Sequence, residues 1–339
     1  MAKRPRLFYL DLVRTIALVC ILVIHFNATV TGYFTLPHRL FASVLPGGVY
    51  LGDFGSSLFF IVSGASLAYT ARQPFSAGAF YRRRAAAVYP MFWLAWCICF
   101  SIRFVTQPGY YAAAKTPTLL LTALGLDNFA VSAGWVAADF ACVGEWFLGS
   151  ILFLYLLFPL LYRGMQKNRA LTWLAAAAAG LVLHFSGIDR QLLGVHLLEF
   201  LFGIWFVMGK RPPVWTLVPA ALTWPALWAL GQAVAIDAKI FCALVSAAVF
   251  TLLSAWPDRA APAPLRRACA LAGKYSYAVF LVHHFLILLL VQRFDLAALS
   301  RRDTALLFGA YLVLTALASW GLYRLDARLR GAVRRVRHG

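Results

Sequence analysis

The sequence predicts an all-α protein, a polytopic transmembrane helical bundle of about ten spans with both termini in the cytoplasm. Hydrophobic residues make up 62% of the chain and charged residues 13%, against about 45–50% and 25% in soluble domains. Mean hydropathy is +0.76. The apolar residues also gather into runs long enough to cross a hydrocarbon core of about 30 Å. Finally, with the N-terminus inside, 22 of the 31 Lys and Arg fall on the inner side and six on the outer side, which is the positive-inside asymmetry. The net charge of +19 is spread over every inner loop rather than gathered in one domain, so a nucleic-acid partner is not indicated.

The first span, residues 7–30, carries Asp11, Arg14 and His25. Ionisable groups at membrane depth are costly and usually face a bundle interior or a water-filled path. At about 100° per residue, the eleven-residue step from Arg14 to His25 returns to within about 20° of one helix face. Asp11 is a neighbour of Arg14 at i and i+3. The basic start at Lys3, Arg4 and Arg6 resembles a signal peptide, but the apolar run is too long and lacks a small-residue cleavage site, so the reading is a retained helix. A neutral imidazole can take a proton from a hydroxyl and return it. His25 could instead hydrogen-bond a neighbouring helix, but Asp11 and Arg14 on its face favour a site. Arg14 needs an anionic partner, and both Asp11 and a ligand phosphate or carboxylate fit.

The second span, 48–70, closes on Phe59-Phe60-Ile61-Val62-Ser63-Gly64. Its small residues suit close helix packing or backbone access to a ligand, packing being favoured. Arg82, Arg83 and Arg84 precede the third span, 86–106. They suit a polyphosphate clamp at a helix start and equally the positive-inside rule. The piece at 107–144 has an apolar stretch, 117–126, too short to cross, and reads as a lid or partly re-entrant segment packed on the helices. Glu145 opens the fourth span, 145–162, where capping and a site role compete.

Spans five to eight follow at 170–187, 192–209, 214–231 and 238–256. Glu199, mid-span, must be paired or protonated, and His196 one turn earlier is a partner for it. The stretch 257–271 reads as a cytoplasmic linker. The ninth span, 272–292, holds His283 and His284, of which about 100° of divergence lets only one face a given site comfortably. The tenth span, 304–323, leads to a basic tail suited to an anionic lipid surface. One membrane-embedded domain, 1–330, and a tail, 331–339, result. The six cysteines have neither disulfide nor zinc spacing, and no repeat is evident.

These segments, in order and over nearly the whole length, resemble the acyltransferase 3 family of bacterial integral membrane O-acyltransferases. Leu10-Asp11-Leu12-Val13-Arg14-Thr15-Ile16-Ala17 followed by His25 is similar to the family's first-helix signature, and Phe59 to Gly64 to its second-helix motif. Phe80-Tyr81-Arg82-Arg83-Arg84 leading to Tyr89-Pro90, then Glu145-Trp146-Phe147-Leu148, then Lys274 to His283, complete the pattern. Ala87 stands where many members carry a further arginine, and Phe280 where a tyrosine is common.

The resemblance implies transfer of an acyl group, commonly acetyl, from acyl-coenzyme A (acetyl-CoA) to a hydroxyl of a cell-envelope or exported glycan. The setting is the bacterial cytoplasmic (inner) membrane. It implies no permanently bound cofactor and no metal. His25 takes the catalytic role as base or acyl carrier, with Arg14 and Asp11 in support. Arg82, Arg83 and Arg84 meet the donor, and Ser63, Glu145 and His283 are further site candidates. The rival readings are a secondary transporter or flippase for an anionic solute, using the same Asp/Arg/His path, and a catalytically inert envelope scaffold. A transporter fold would commonly show repeat symmetry.

Overall fold

A computed structural model describes residues 5–33, 39–188, 190, 192–209, 213–257 and 260–338, with the side chains of 31–33, 334 and 336–338 left aside. Lys3, Arg4, Lys210, Arg211 and Arg259, counted in the charge asymmetry, lie outside the described residues. Of the described residues 79% are helical. Its only strands among the described residues are the two-residue pair Val44–Leu45 and Val49–Tyr50. In order the helices are α1 (Phe8–Asn27), α2 (Leu51–Thr70), α3 (Ala77–Thr106), α4 (Leu119–Leu124), α5 (Asp127–Ser132) and α6 (Glu145–Lys167). There follow α7 (Arg169–Ser186), α8 (Gly194–Met208), α9 (Leu217–Gly231), α10 (Ala238–Ser254), α11 (Ala263–Val291) and α12 (Arg301–His338). Among the described residues eight helical stretches are long and apolar enough to cross a membrane, while α8 and α10, the expected sixth and eighth spans, are apolar but shorter.

Several helices run past their expected bounds, and two of the shifts bear on the site candidates or the linker. α11 begins at Ala263 rather than near 272, so most of the expected linker is helix; Pro264 sits in its first turn, where a missing N–H costs nothing. α3 begins at Ala77, which places Arg82 to Arg84 in its second turn rather than at its start.

The chain divides into two compact units. The first comprises Met1–Ile24, Ala42–Ala77 and Phe153–Lys274. Its core joins α1, α2 and α10 through Val13, Ala17, Leu58, Ile61, Val62, Ala65 and Val245, each fully buried. α2 is the central element, with 72% of its apolar window buried against 6% for the stretch containing α9. Glycine sets the α2–α8 crossing. A Cβ on Gly64 would lie 2.0 Å from the Phe200 carbonyl oxygen, and one on Gly203 would lie 2.0 Å from that of Ile61. Only small residues let helix backbones approach this closely. The packing role expected of the Ser63-Gly64 segment is therefore what Gly64 performs. His196 Nδ1 and Glu199 Oε2 pair at 2.7 Å, and His196 stacks on Phe60. Side chains such as Leu160, Val182 and Phe185 are largely exposed, as lipid-facing positions must be and water-facing ones rarely are.

The second unit comprises His25–Phe41, Gly78–Leu152 and Tyr275–Gly339. Here the 107–144 segment turns back along α3. Trp93 Nε1 donates to the Ala123 carbonyl and the Tyr89 hydroxyl to that of Leu124. Thirteen residues separate Trp93 from Thr106, so the segment returns about 20 Å along the helix. Phe129 fills a notch left by Gly149, whose added Cβ would lie 2.3 Å from that of Phe129. Pro90 interrupts the backbone ladder of α3, leaving the Ala86 carbonyl without its N–H four residues on. Arg330, paired through Nε with both oxygens of Asp326, donates Nη1 to that carbonyl. The C-terminal part of α12 thereby closes the gap made by a proline 240 residues earlier.

Candidate active site

α1 carries His25 into the second unit, where it meets α11. His25 Nδ1 lies 2.6 Å from His283 Nε2, and the two rings are nearly coplanar, 3° apart, with centroids separated by 4.8 Å. His283 is fully buried, and its Nδ1 lies 3.0 Å from the carbonyl oxygens of both Val279 and Phe280. A carbonyl can only accept, so Nδ1 of His283 bears the hydrogen. In the neutral ring Nε2 then carries the lone pair. That nitrogen accepts from Nδ1–H of His25, and the lone pair of His25 is left on Nε2. Two backbone carbonyls of α11 thus set the tautomer of a histidine on α1, much as outer partners orient metal-bound imidazoles.

His284 completes the group. Its ring lies 5.0 Å from that of His25, tilted by 34°, and its Nδ1 is bonded to Glu145 Oε1. The expectation that only one of the adjacent histidines could face a site needs correction. His25 lies between them, their own centroids being 6.4 Å apart. A 100° divergence therefore still lets both rings meet the third, on adjacent sides of it. Glu145 opens α6 at φ +43°, directly after Gly144 at φ +90°. A non-glycine residue in the left-handed region costs about 1–2 kcal/mol, and such strain gathers at functional sites. This backbone turn aims the carboxylate at His284 rather than along its own helix.

The remaining site candidates are placed elsewhere. In the first unit Asp11 accepts from both Arg6 and Arg14, the latter at 3.4 Å. Arg14 Nη2 also donates to Ser66 Oγ at 2.9 Å. Asp11 is thus the partner of Arg14, but two guanidiniums on one carboxylate leave the group with excess positive charge. Arg6 reads in the sequence only as part of the basic start, and Ser66, which meets Arg14, lies one turn beyond the site candidate Ser63. α11 passes the cluster at Gly273, where a Cβ would meet Arg6 and Asp11 at 3.3 Å. In the second unit Arg82 is exposed and Arg83 and Arg84 are half-buried. Successive 100° steps spread the three around α3, and the helix dipole fades within the first turn. Any anion they bind is held by side chains rather than by the helix end. Among the described residues no group of His, Cys, Asp and Glu is arranged to hold a metal ion, and all six cysteines are free.

Apolar helices of membrane-crossing length define a multi-pass membrane protein, and its second unit holds a hydrogen-bonded histidine cluster backed by a carboxylate. The acyltransferase domain family (acyltransferase 3) matches residues 7–324. The chain belongs to that family and is a membrane acyltransferase. The acyltransferase MdmB of Streptomyces mycarofaciens is 31% identical over 271 residues, covering 70% of this chain and 68% of the relative. No solved structure matches the chain.

Proposed function

We propose that the protein moves an acyl group, acetyl in the first instance, from acyl-coenzyme A to a hydroxyl of a cell-envelope or exported glycan, with His25 as the catalytic residue. The observation that carries this reading is the bond from His25 Nδ1 to His283 Nε2, which leaves the His25 Nε2 lone pair for a reactant. Such a nitrogen can take the hydrogen of an acceptor hydroxyl as its oxygen attacks the thioester carbon, or can first carry the acyl group itself. A negatively charged donor fits the surplus of positive charge on the inner side. Arg82, Arg83 and Arg84 are the residues we assign to its phosphates, with Arg14 and its Asp11 partner supporting the first helix. The setting is the bacterial inner membrane, with ten spans and both termini cytoplasmic. α8 and α10 then cross as short helices, and 331–339 is a basic tail outside a single catalytic domain.

The test is mass spectrometry of surface glycans from a deletion strain and from strains complemented with native protein or with His25→Ala at matched level. An acyl mass increment that vanishes on deletion, returns with native protein and stays absent with His25→Ala is the expected result. Its return with His25→Ala would remove His25 from the mechanism, and no change in any strain would remove the glycan acceptor.

A further inference from the structure

Acyl transfer moves two protons, and the second unit holds two imidazoles a reactant can reach. Attack by the hydroxyl releases one proton; breaking the C–S bond leaves the sulfur with the electron pair and in need of another. His283 cannot touch either reactant, being fully buried. His284 is one-third exposed and Glu145 about one-fifth, and His25 is half-buried beside them. The Glu145 carboxylate occupies Nδ1 of His284, so the nitrogen left for a reactant is Nε2, as in His25. Each ring is thus held by Nδ1, one by a neighbouring imidazole and one by a carboxylate, with centroids 5.0 Å apart. A carboxylate on Nδ1 fixes the ring orientation and compensates the charge of an imidazolium.

We propose that His284 is a second catalytic residue, the general acid that protonates the departing thiolate, and that Glu145 is its positioning residue. The inference rests on the assignment of His25 as base. In the step, His25 Nε2 takes the hydroxyl hydrogen as the oxygen bonds to the acyl carbon. The C–S bond then breaks, and the proton on His284 Nε2 passes to sulfur, giving ester and free thiol. The proton gained by His25 returns to His284 across the gap between the adjoining rings, and the site is reset without any further reactant.

The experiment compares two thioesters on the full-length protein in lipid nanodiscs, with the deacylated glycan as acceptor. One is acetyl-CoA, whose alkyl thiolate is a base comparable with that of cysteine. The other is the acetyl ester of nitrothiophenol, whose thiolate departs without a proton. General acid catalysis contributes about 10²–10⁴-fold. His284→Gln should therefore lose about 10²-fold or more in kcat with acetyl-CoA and only a few-fold with the aryl thioester. Glu145→Gln should show the same donor dependence at smaller amplitude, and it serves if His284→Gln fails to assemble. His25→Ala should fail with both donors. Equal losses for His284→Gln with both donors, or none with either, would overturn the proposal. Native protein that turns over neither donor would instead overturn the proposed donor and acceptor, activity retained by His25→Ala would overturn the His25 reading, and this inference would fall with either.

Discussion

On the proposed mechanism, one ring of the His25–His283 pair touches chemistry and the other only decides which nitrogen does so. Removing His283 leaves the Nδ1 hydrogen of His25 without its acceptor and the ring free to turn. His283→Ala should lower kcat about 10²-fold through misplacement, a smaller loss than that of His25→Ala, which removes the base itself. Equal losses for the two variants would mean that His283 meets the reactants directly. Arg14 illustrates the opposite case. Its partners Asp11 and Ser66 account for the membrane-depth charge by themselves, and the extra guanidinium of Arg6 is what makes the group a net cation.

At the scale of elements, two devices join helices that are far apart in sequence. The α2–α8 crossing depends on the absence of a Cβ at Gly64 and Gly203. Gly203→Ala should destabilise the purified protein by about 1–3 kcal/mol or more, the cost of overpacking. Gly309→Ala, where nothing lies within 4 Å, should be neutral or slightly stabilising. Thermal unfolding of the two variants checks the contrast, and similar midpoints would refute the close crossing. The second device is Arg330 on the proline-freed Ala86 carbonyl. Arg330→Ala leaves that carbonyl unmet and the buried Asp326 without its cation, at about 1–3 kcal/mol. It should also expose the end of α12 to trypsin. An unchanged digestion pattern and midpoint would show that the contact does not hold the two helices together. Arg330→Lys should rescue poorly, because a single ammonium cannot serve a carboxylate and a carbonyl with the geometry of a guanidinium.

For the molecule as a whole, the 107–144 segment carries a pH dependence. Burial pushes the Asp127 carboxyl up to about 7, against the Asn128 N–H it accepts and with the help of neighbouring Asp139. Unfolded, the group titrates near 3.9. Between roughly pH 4 and 7 the folded protein therefore keeps a proton that the unfolded chain has lost, and stability falls as pH rises through that window. Asp127→Asn removes the loss while keeping the acceptor for Asn128. Its gain in unfolding free energy should be larger at pH 8 than at pH 5, by roughly 2–3 kcal/mol. An equal gain at both values would mean that Asp127 does not change its protonation between them.

The membrane class, the positions of the apolar helices and the pairing of His196 with Glu199 were legible in the sequence. Each of these follows from hydropathy or from spacing within one helix, where the 100° step fixes geometry before any packing is known. The family resemblance was legible for the same reason, since its motifs lie within single segments. Packing alone sets His284 beside His25, turns Glu145 toward it from a left-handed residue, and brings Arg330 to the carbonyl freed by Pro90. Those contacts join residues up to 259 positions apart, set by how helices cross and where a loop turns back. Local periodicity carries no information about either.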